Sequence, residues 1–321
     1  MQKNMKQIKV SVCIPVYGVE KFIERCARSL FEQTMKEGIE FIFVNDCTKD
    51  NSIIILESVL KEYPERKEQV KIVHHTQNGG LVAARKTGLK HASGEYVVHC
   101  DSDDWVEVSL YEEMYKKAIR TDADMVYCHF YQERNGEQTV FYEQEYCDLE
   151  TVFTGKNSCQ IWTKMFRTSI ARSEQIIAPE HLVMSEDVLR SVQTLALCKK
   201  RVRVDKALYH YNIRQCSMVR ACWEPQTFRM RYEITKIFRS KSEIAAYGLG
   251  LDFWCRSVLV EAMLHRSVKS RDFYRIYSTI KTSIWKDYRW NPVKKVIFLL
   301  MYATYWMWPK NQTADLTGIA D

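Results

Sequence analysis

The stretch VVHCDSDDWV, residues 97–106, passes from an apolar run into three carboxylates and then back to apolar residues. Its first half predicts a buried β-strand over residues 95–100, so Asp101, Asp103 and Asp104 follow the end of that strand. Clustered carboxylates repel one another and lose hydration on burial unless positive charge lies among them. The stretch therefore raises the question of whether solvent, a lysine or a metal ion balances these three charges.

The sequence around this stretch alternates between the periods of strands and helices. Short β-branched and aromatic runs predict strands, and apolar residues three or four apart predict helices between them. The predicted strands cover residues 9–15, 39–44, 70–74, 95–100 and 125–130. The predicted helices cover residues 19–31, 53–60, 81–89 and 110–119. Such alternation favours an α/β fold with an open, mostly parallel sheet covered by helices on both faces.

The alternation ends near residue 131. Residues 132–150 are polar and rich in glutamate, which predicts a loop or an irregular hairpin. Residues 185–200 predict a helix and residues 202–211 a strand, and the pattern from Pro225 onward is mainly helical.

Ligands of open α/β sheets bind beyond the carboxyl ends of the strands. Three features of the sequence fall on that edge. Tyr17 and Gly18 follow the first predicted strand, Asn45 and Asp46 follow the second, and residues 101–104 follow the fourth. We therefore expect these side chains to meet at one edge of the sheet.

Length and cysteine content limit the class of protein. The 321 residues suffice for one large or two modest domains, and 46% hydrophobic and 27% charged residues are typical of a globular chain. The eleven cysteines are odd in number and form no CxxC pair. This usage predicts reduced, packed thiols in a cytoplasmic protein rather than a disulfide framework or a zinc site. No secretory signal is evident.

Charge is divided unevenly along the chain. Residues 1–160 hold 20 Lys+Arg and 26 Asp+Glu, a net charge of −6, which leaves 27 and 14, a net charge of +13, for residues 161–321. The basic half predicts an anionic partner such as a phosphate-bearing substrate or an anionic lipid. A lysine-rich solubilising surface explains most of these charges equally well.

Four stretches taken together resemble the ordered motifs of family 2 glycosyltransferases of the bacterial polysaccharide type, which have the GT-A fold. They are IPVYGVEKFIERCARSLFEQT (14–34), FIFVNDCTKDNS (41–52), NGGLVAARKTGLKHASGEYVVHCDSDDWV (78–106) and SEDVLRSVQTLALCKKRVRVDKALYHYNIRQCSM (185–218). The resemblance implies a GT-A nucleotide-sugar-binding and catalytic domain over residues 1–220. Residues 221–321 would then form a helical C-terminal region that binds a membrane surface or forms oligomers.

The resemblance offers an answer for the carboxylates. Asp101-Ser102-Asp103 resembles the family's DxD motif, in which a divalent cation neutralises the diphosphate leaving group of a nucleotide-sugar. Asp103 would be the principal ligand of Mn²⁺ or Mg²⁺, and Asp101 would lie near the ribose or a metal-bound water. Asp104 would either orient the other two or reach the acceptor. An EF-hand is excluded, because Trp105 and the residue after it stand where that loop needs an acceptor and a glycine.

The same resemblance implies a set of donor-binding residues. Asp46 would accept a hydrogen bond from a uracil-like base, although Asn45 and Cys47 replace the family's usual Asp and Gly, and Cys47 restricts the backbone. Tyr17 would stack near the base, with a partly buried core position as its alternative. The full predicted donor set is Pro15, Tyr17, Glu20, Asp46, Gly80, Arg85, Asp101, Ser102, Arg214 and Ser217.

The segment MSEDVL implies the catalytic base. In an inverting transferase a carboxylate removes the proton of the attacking hydroxyl. Glu186 and Asp187 would supply it, with Asp187 as the base; an ordinary helix start is the structural alternative. Trp162 and Lys164 lie in a stretch that resembles the acceptor side, with core packing as an equal alternative for Trp162.

The segment KKVIFLLMYATYWMWPK, residues 294–310, lies outside the resemblance. Its apolar run over residues 296–308 is shorter than the roughly 20 residues of a membrane span. Flanking lysines and clustered aromatic residues fit a segment that lies in the headgroup region of a membrane. A buried core or oligomer helix is the alternative. On the first interpretation the protein lies on the inner face of the cytoplasmic membrane through residues 294–308.

These interpretations combine into one expected function, an inverting, metal-dependent transfer from a UDP-sugar to a saccharide hydroxyl in cell-surface polysaccharide synthesis. The acceptor is open between a free and a lipid-linked saccharide, and no nucleic-acid partner is expected. Two alternatives stay open, a non-catalytic sugar-binding or polymer-binding protein and a sugar nucleotidyltransferase. The second would need a Gly-rich basic loop after the first strand, where the chain has VYGVEKF.

Overall fold

The computed structural model describes residues 7–182, 185–213, 225–277, 284–287, 290–310 and 313. Its contacts divide the chain into two compact units. The first comprises Met1–Asp148 and Asn157–Gln215, and the second comprises Leu149–Lys156 and Cys216–Asp321. The predicted assignment of separate roles to residues 1–220 and 221–321 stays a prediction.

The first unit contains a nine-stranded sheet. Its strands are β1 Val10–Val16, β2 Ile39–Asn45, β3 Val70–His74, β4 Tyr96–His99, β5 Trp105–Val106, β6 Met125–Arg134, β7 Glu137–Phe141, β8 Lys164–Arg167 and β9 Arg201–Asn212. The strand order is β3-β2-β1-β4-β8-β6-β9-β5, and β7 pairs with the outer part of β6.

The first four strands are parallel, as the sequence predicts. The register pairs Val16 with Asn45 and Cys13 with His99, so the carboxyl ends of β1, β2 and β4 share one edge. Pro15 pairs with Val44 on one side and lies beyond the last β1–β4 pair on the other. A proline, which lacks an N–H, is therefore tolerated in this strand.

The rest of the sheet is mixed. Strand β8 pairs antiparallel with β4 and β6, β9 is parallel to β6, and β5 is antiparallel to β9. The polar segment predicted as a loop or hairpin contains the hairpin β6–β7, with Asn135 and Gly136 at its turn. Both have positive φ, 52° and 83°, which is the conformation that an Asn-Gly type I′ turn requires.

Helices cover both faces of the parallel strands. The helices of the first unit are α1 Ile23–Phe31, α2 Ser52–Glu62, α3 Gly80–His91, α4 Leu110–Thr121, α6 Thr168–Ala171 and α7 Glu186–Leu197. Val12 and Ile14 of β1 face the core beneath α1 and α2, whereas Cys13 faces the core beneath α3. This burial on both faces explains why β1 is almost continuously apolar.

Helix α3 packs closely against strand β1 of the sheet. A Cβ atom added to Gly88 would lie 3.0 Å from the Cβ of Cys13, tighter than ordinary van der Waals contact. Gly88 therefore lets α3 lie near β1 and positions the beginning of α3 at the strand-end edge. The nine described cysteines are free thiols and seven are buried, consistent with reduced thiols packed in the core.

The second unit is helical in its described residues. Its helices are α5 Leu149–Phe153, α8 Pro225–Ser240, α9 Ser242–Ala245, α10 Gly248–His265, α11 Ser270–Tyr277 and α12 Pro292–Thr304. A fully buried ion pair joins Arg256 Nη1 to Asp287 Oδ2 at 2.7 Å. Within the described ranges, every helix is too short or too polar to span a bilayer.

Candidate functional site

Arg85 lies at the centre of the predicted site. It stands on α3 and is almost completely buried, and its Nη2 donates to Oδ1 of Asp101 at 2.7 Å. Its Nη1 donates to Oε2 of Glu186 and to Oδ1 of Asp187. One guanidinium thus joins the acidic turn after β4 to the start of α7, so four residues predicted from separate motifs meet.

The three carboxylates around Arg85 differ in accessibility. The side chain of Glu186 is 2% exposed, whereas those of Asp187 and Asp101 are 28% and 23% exposed. Glu186 also accepts from Nε of Arg190 at 3.3 Å, so two guanidinium groups hold it. Asp187 and Asp101 can therefore meet a substrate, and Glu186 is placed to position its neighbours.

The same arrangement separates the pKa values of the adjacent pair. Burial alone would raise the pKa of Glu186, but the positive charges of Arg85 and Arg190 outweigh it and lower that pKa. Burial raises the pKa of Asp187, and the neighbouring charges of Glu186 and Asp101 add to this, against the opposing effect of Arg85. The pair therefore divides into a permanently charged anchor and a carboxyl group that binds a proton more readily.

Ser185 precedes this pair in an uncommon backbone conformation. Its φ is +61°, and its side chain makes no capping hydrogen bond to α7. Helix α7 does begin at Glu186, as the helix-start alternative predicts, but without the side-chain cap that would explain Ser185. A non-glycine residue with positive φ next to buried Glu186 and half-buried Asp187 is a strained position of the kind found at functional sites.

Side-chain and backbone groups of β9 hold the acidic turn, residues 101–104, in place. Asp104 is buried, and its carboxylate accepts from the Tyr209 hydroxyl at 2.7 Å and from the Asn212 N–H at 2.8 Å. The Tyr209 oxygen in turn accepts from the N–H of Asp101 at 3.1 Å, and the Asp104 N–H closes the turn onto the Asp101 carbonyl. Burial and the charges of Asp103 and Asp101 raise the pKa of Asp104.

The burial of Asp104 bears on its two predicted roles. A carboxylate enclosed by Tyr209 and Asn212 cannot reach an acceptor, so the geometry argues against acceptor contact and favours the orienting role. Ser102 is buried in the same turn, while Asp101 and Asp103 lie half-buried. Tyr209 and Arg190 were missed by the sequence analysis. Arg190 was detectable from its position four residues after Glu186 on a helix, but no pattern marked Tyr209.

The acidic turn fits a divalent cation that is shared with a phosphate-bearing substrate. In the described parts of the chain, no group of three or more His, Cys, Asp or Glu side chains could hold a metal ion by itself. Mg²⁺ and Mn²⁺ at phosphate sites need only one or two carboxylates, since phosphate and water oxygens complete the shell. Asp103 and Asp101 on one fixed turn provide such a set.

Asp46 accepts hydrogen bonds from the loop that contains Gly79 and Gly80. Its Oδ1 accepts from the Gly79 N–H at 2.8 Å and lies 2.7 Å from Nδ1 of His75, and its Oδ2 accepts from the Gly80 N–H at 2.8 Å. Gly80 has a φ of +81° and open space where a side chain would be. The contact of Asp46 with a nucleotide base stays a prediction. The carboxylate that would make this contact already accepts from Gly79 and Gly80 and so holds their loop in place.

The loop after β1, residues 17–22 (the first loop), is hydrogen-bonded to the loop after β2, residues 46–51 (the second loop). The Gly18 N–H donates to Oγ1 of Thr48 at 2.9 Å, and Oε2 of Glu20 accepts from the Asn51 N–H at 3.2 Å. Tyr17 at the tip of the first loop is 52% exposed. About half of Tyr17 is therefore accessible to a ligand, and its partly buried alternative stays open.

Cys47 occupies the position where the family usually has glycine. Its φ is +59°, in the left-handed region that disfavours side chains with a Cβ. The loop thus keeps a glycine-like conformation despite the substitution. The backbone restriction that the sequence predicts at Cys47 is therefore present as local backbone strain.

The predicted acceptor residues Trp162 and Lys164 are buried. Trp162 is 2% exposed, and its ring stacks on those of Tyr209 and Tyr211 with centroids 4.3 and 5.2 Å away. Nζ of Lys164 donates to the carbonyls of Ser158 and Gln160, both at 2.8 Å. The structure argues against direct acceptor contact by either residue: Trp162 takes its core alternative, and Lys164 fixes a loop.

Strand β9 also positions a histidine near the acidic turn. His210 is stacked between the rings of Trp105 and Tyr131 and contacts Glu107 and Glu133 through its two nitrogens. The predicted phosphate contacts Arg214 and Ser217 lie outside the described residues.

Comparisons with known proteins show the family of the chain. Residues 11–183 match the family model described as Glycosyl transferase family 2. The chain is 28% identical to the "Uncharacterized glycosyltransferase EpsJ" of Bacillus subtilis (strain 168), covering 78% of this chain and 73% of EpsJ. It is also 28% identical to "Poly(ribitol-phosphate) beta-N-acetylglucosaminyltransferase TarS" of Staphylococcus aureus, covering 72% of this chain but only 40% of TarS.

Solved structures show the same fold. TarS residues 1–349 in complex with UDP-GlcNAc match with a TM-score of 0.71 at 19% identity, covering 94% of this chain and 91% of that one. A mannosyltransferase of Pyrobaculum calidifontis in complex with GDP-Man and Mn²⁺ matches with a TM-score of 0.53 at 14% identity, covering 96% and 89%. The predicted α/β fold with a helical C-terminal region is confirmed.

Proposed function

Because the chain belongs to glycosyl transferase family 2 and is a glycosyltransferase, we propose that it transfers a sugar from a UDP-sugar to an acceptor hydroxyl with inversion. The observation that carries this proposal is the bridge from Arg85 to Asp101 on one side and Asp187 on the other. The bridge unites a turn suited to a donor diphosphate with a carboxylate suited to accepting a proton. We assign these roles to residues 1–220.

The residues divide the chemistry between them. Asp187 accepts the proton of the acceptor hydroxyl as its oxygen attacks the anomeric carbon, and the bond from that carbon to the diphosphate breaks on the opposite face. Arg85 and Glu186 hold Asp187 in position. Asp103 and Asp101 would hold Mn²⁺ or Mg²⁺, which when bound supplies positive charge to the departing diphosphate.

The relatives support the donor and acceptor classes. TarS is named for a poly(ribitol-phosphate) acceptor and has been solved with UDP-GlcNAc, and the mannosyltransferase has been solved with Mn²⁺. We propose by analogy a UDP-sugar donor, a divalent cation and a cell-surface polymer or saccharide acceptor for this chain. Tyr17, exposed on the first loop, and Gly80 are the donor contacts most open to a ligand, with Pro15, Glu20 and Asp46 as their support.

We also propose that the enzyme works on the cytoplasmic face of the membrane on a lipid-linked acceptor. The basic character of residues 161–321, with a net charge of +13, supports an anionic surface as partner. No role for nucleic acid is proposed.

The decisive experiment is a screen of UDP-sugars and GDP-sugars, with and without Mn²⁺, for an increase in melting temperature, followed by assay of the stabilising donors for hydrolysis and transfer. We expect stabilisation by UDP-sugars that requires Mn²⁺ and is lost in Asp103→Asn. Opposite anomeric configurations of donor and product, measured by NMR, would establish inversion. Stabilisation without any turnover would support the binding-protein alternative.

A further inference from the structure

Helix α12 is anchored to the second unit along one side. Phe298 and Tyr302 are buried, and the Tyr302 carbonyl accepts from the Tyr274 hydroxyl at 2.8 Å. Tyr305, just after the helix, stacks on Phe273 with ring centroids 3.9 Å apart. The predicted location of residues 294–308 in the headgroup region can therefore involve only the opposite side of the helix, because Phe298, Tyr302 and Tyr305 are buried.

The opposite side of α12 is apolar and exposed. Val293 is 65% exposed and Leu300 is 61% exposed, and the other members of the set are similar. We call this set the α12 patch: Val293, Val296, Ile297, Leu300, Trp306 and Met307. Its first four members stand at i, i+3, i+4 and i+7, which places them in one stripe on a helix.

The surroundings of the α12 patch are positively charged. Lys294 and Lys295 lie at the start of the helix, and Nζ of Lys295 donates to the carbonyl of Trp285 at 2.8 Å, which places exposed Trp285 nearby. Among the described residues from 284 to 310, Asp287 is the single acidic side chain, and it is buried against Arg256. An apolar stripe with lysines and tryptophans beside it is the composition of an interfacial helix.

We propose that the α12 patch docks the protein on an anionic lipid bilayer, with the stripe in the headgroup region and the lysines at the lipid phosphates. A second copy of the chain is a poorer occupant. A symmetric contact through this patch would offer the lysines no acidic partner among the described residues 284–310, where Asp287 is buried, whereas an anionic surface neutralises them. The inference rests on the proposed location at the membrane, names the face and the lipid class, and leaves the catalytic residues untouched.

Co-sedimentation of the full chain with vesicles tests this inference. We expect binding to phosphatidylcholine vesicles that contain phosphatidylglycerol, weak binding to pure phosphatidylcholine, and loss of binding at high salt. Ile297→Glu/Leu300→Glu should weaken binding by at least about tenfold, since both charges would enter the apolar layer. Lys294→Gln/Lys295→Gln should weaken it by about 30-fold, because each lysine contributes about 1 kcal/mol near such a surface.

The matched control is Ile54→Glu, which places the same charge on α2 at a residue that is 67% exposed. It should bind vesicles like the unmodified chain, and circular dichroism should show that all variants are folded. Equal binding by Ile297→Glu/Leu300→Glu, or no preference for anionic vesicles, overturns the inference. So does concentration-dependent self-association that this double variant abolishes, since the patch would then be an interface between copies. Transfer to a soluble acceptor should be unchanged in the double variant, which separates this test from that of the catalytic proposal.

Discussion

Arg85 and Asp187, which are 102 positions apart in the chain, are joined by a hydrogen bond from Nη1 of the arginine to Oδ1 of the aspartate. The same guanidinium binds Asp101 and Glu186, so its planar fork sets the positions of three carboxylates. The proposed base and the proposed diphosphate site are therefore built as one unit. A change at Arg85 should affect their relative placement before it affects either alone.

Arg85→Lys tests this unit. Lysine keeps the charge but provides a point charge instead of a planar fork, so it cannot hold three carboxylates in the same geometry. We expect the turnover number to fall by at least about 100-fold while UDP-sugar affinity, measured by calorimetry, falls much less. Lys86→Ala, the exposed neighbour on the same helix, is the control and should retain activity. A normal turnover number in Arg85→Lys would show that the bridge is dispensable.

Asp187→Asn should separate binding from chemistry. The amide keeps the shape of the side chain but cannot accept the proton of the acceptor, and loss of a general base costs about 10²–10⁴ in rate. We expect UDP-sugar-dependent thermal stabilisation to persist while transfer is lost. Asp122→Asn, at an exposed residue remote from the cluster, serves as the control. If Asp187→Asn turns over nearly as fast as the unmodified enzyme, a residue other than Asp187 is the general base.

Tyr209→Phe should loosen the acidic turn. The hydroxyl is both the donor to Asp104 and the acceptor for the Asp101 N–H, so its removal leaves two buried polar groups without that partner. We expect a loss of about 1–3 kcal/mol of unfolding free energy and a weaker dependence of UDP binding on Mn²⁺. Tyr211→Phe is the matched control, since Tyr211 also stacks on Trp162. Equal effects of both variants would show that the loss does not come from the hydrogen bonds of Tyr209 to Asp104 and Asp101.

The elements that the sequence predicts best are strands whose apolar residues form a run between turn signals. Strands β1, β2, β3 and β4 lie within one residue of their predicted bounds. Strands β1, β2 and β4 are buried on both faces, whereas the edge strand β3 includes exposed residues. Strands β5 and β8 contain only two apolar residues each, which is too few to mark a strand. Helix α1 begins at Ile23 rather than near residue 19, because the N–H groups of Val19 and Glu20 donate to side chains at residues 50–52.

The residues of the site also divide into those that sequence motifs predict and those that they do not. Asp101, Arg85, Glu186 and Asp187 were predicted from three motifs, and the parallel strand order together with α7 brings them together. Trp162 gave no such signal, since an aromatic residue in a short segment is equally compatible with sugar stacking and with core packing. Only the aromatic rings that enclose it in three dimensions decide between the two.

Glu40→Gln should reduce stability in a pH-dependent way. Glu40 is buried on β2; Oε1 accepts from the Ser11 hydroxyl and the Ser93 N–H, both at 2.6 Å, and Oε2 accepts from Lys71 Nζ at 2.6 Å. Burial alone would raise the pKa of Glu40, but these bonds outweigh it and lower that pKa below 4.5. The stabilisation is therefore complete above about pH 4.5 and is lost as the pH falls through the lowered pKa.

Urea unfolding at a series of pH values measures this effect. At neutral pH, Glu40→Gln should lower the unfolding free energy by about 2 kcal/mol, because it weakens charge-assisted hydrogen bonds. The difference between the two proteins should shrink as the pH falls below about 4.5. Glu57→Gln, an exposed change on α2, should show neither effect. A difference that stays constant with pH would indicate a packing effect instead of a charge effect.

Cys47→Gly should stabilise the second loop or leave its stability unchanged. The left-handed φ of +59° costs a residue with a Cβ about 1–2 kcal/mol, whereas glycine adopts it freely and loses about 1 kcal/mol through the greater entropy of the unfolded chain. We expect a net change between zero and about +1 kcal/mol in unfolding free energy. Cys47→Val, with a β-branched side chain at the same φ, should be clearly destabilising. Thermal unfolding of the three proteins is the measurement, and a less stable glycine variant would mean that the thiol makes a contact worth more than the backbone strain.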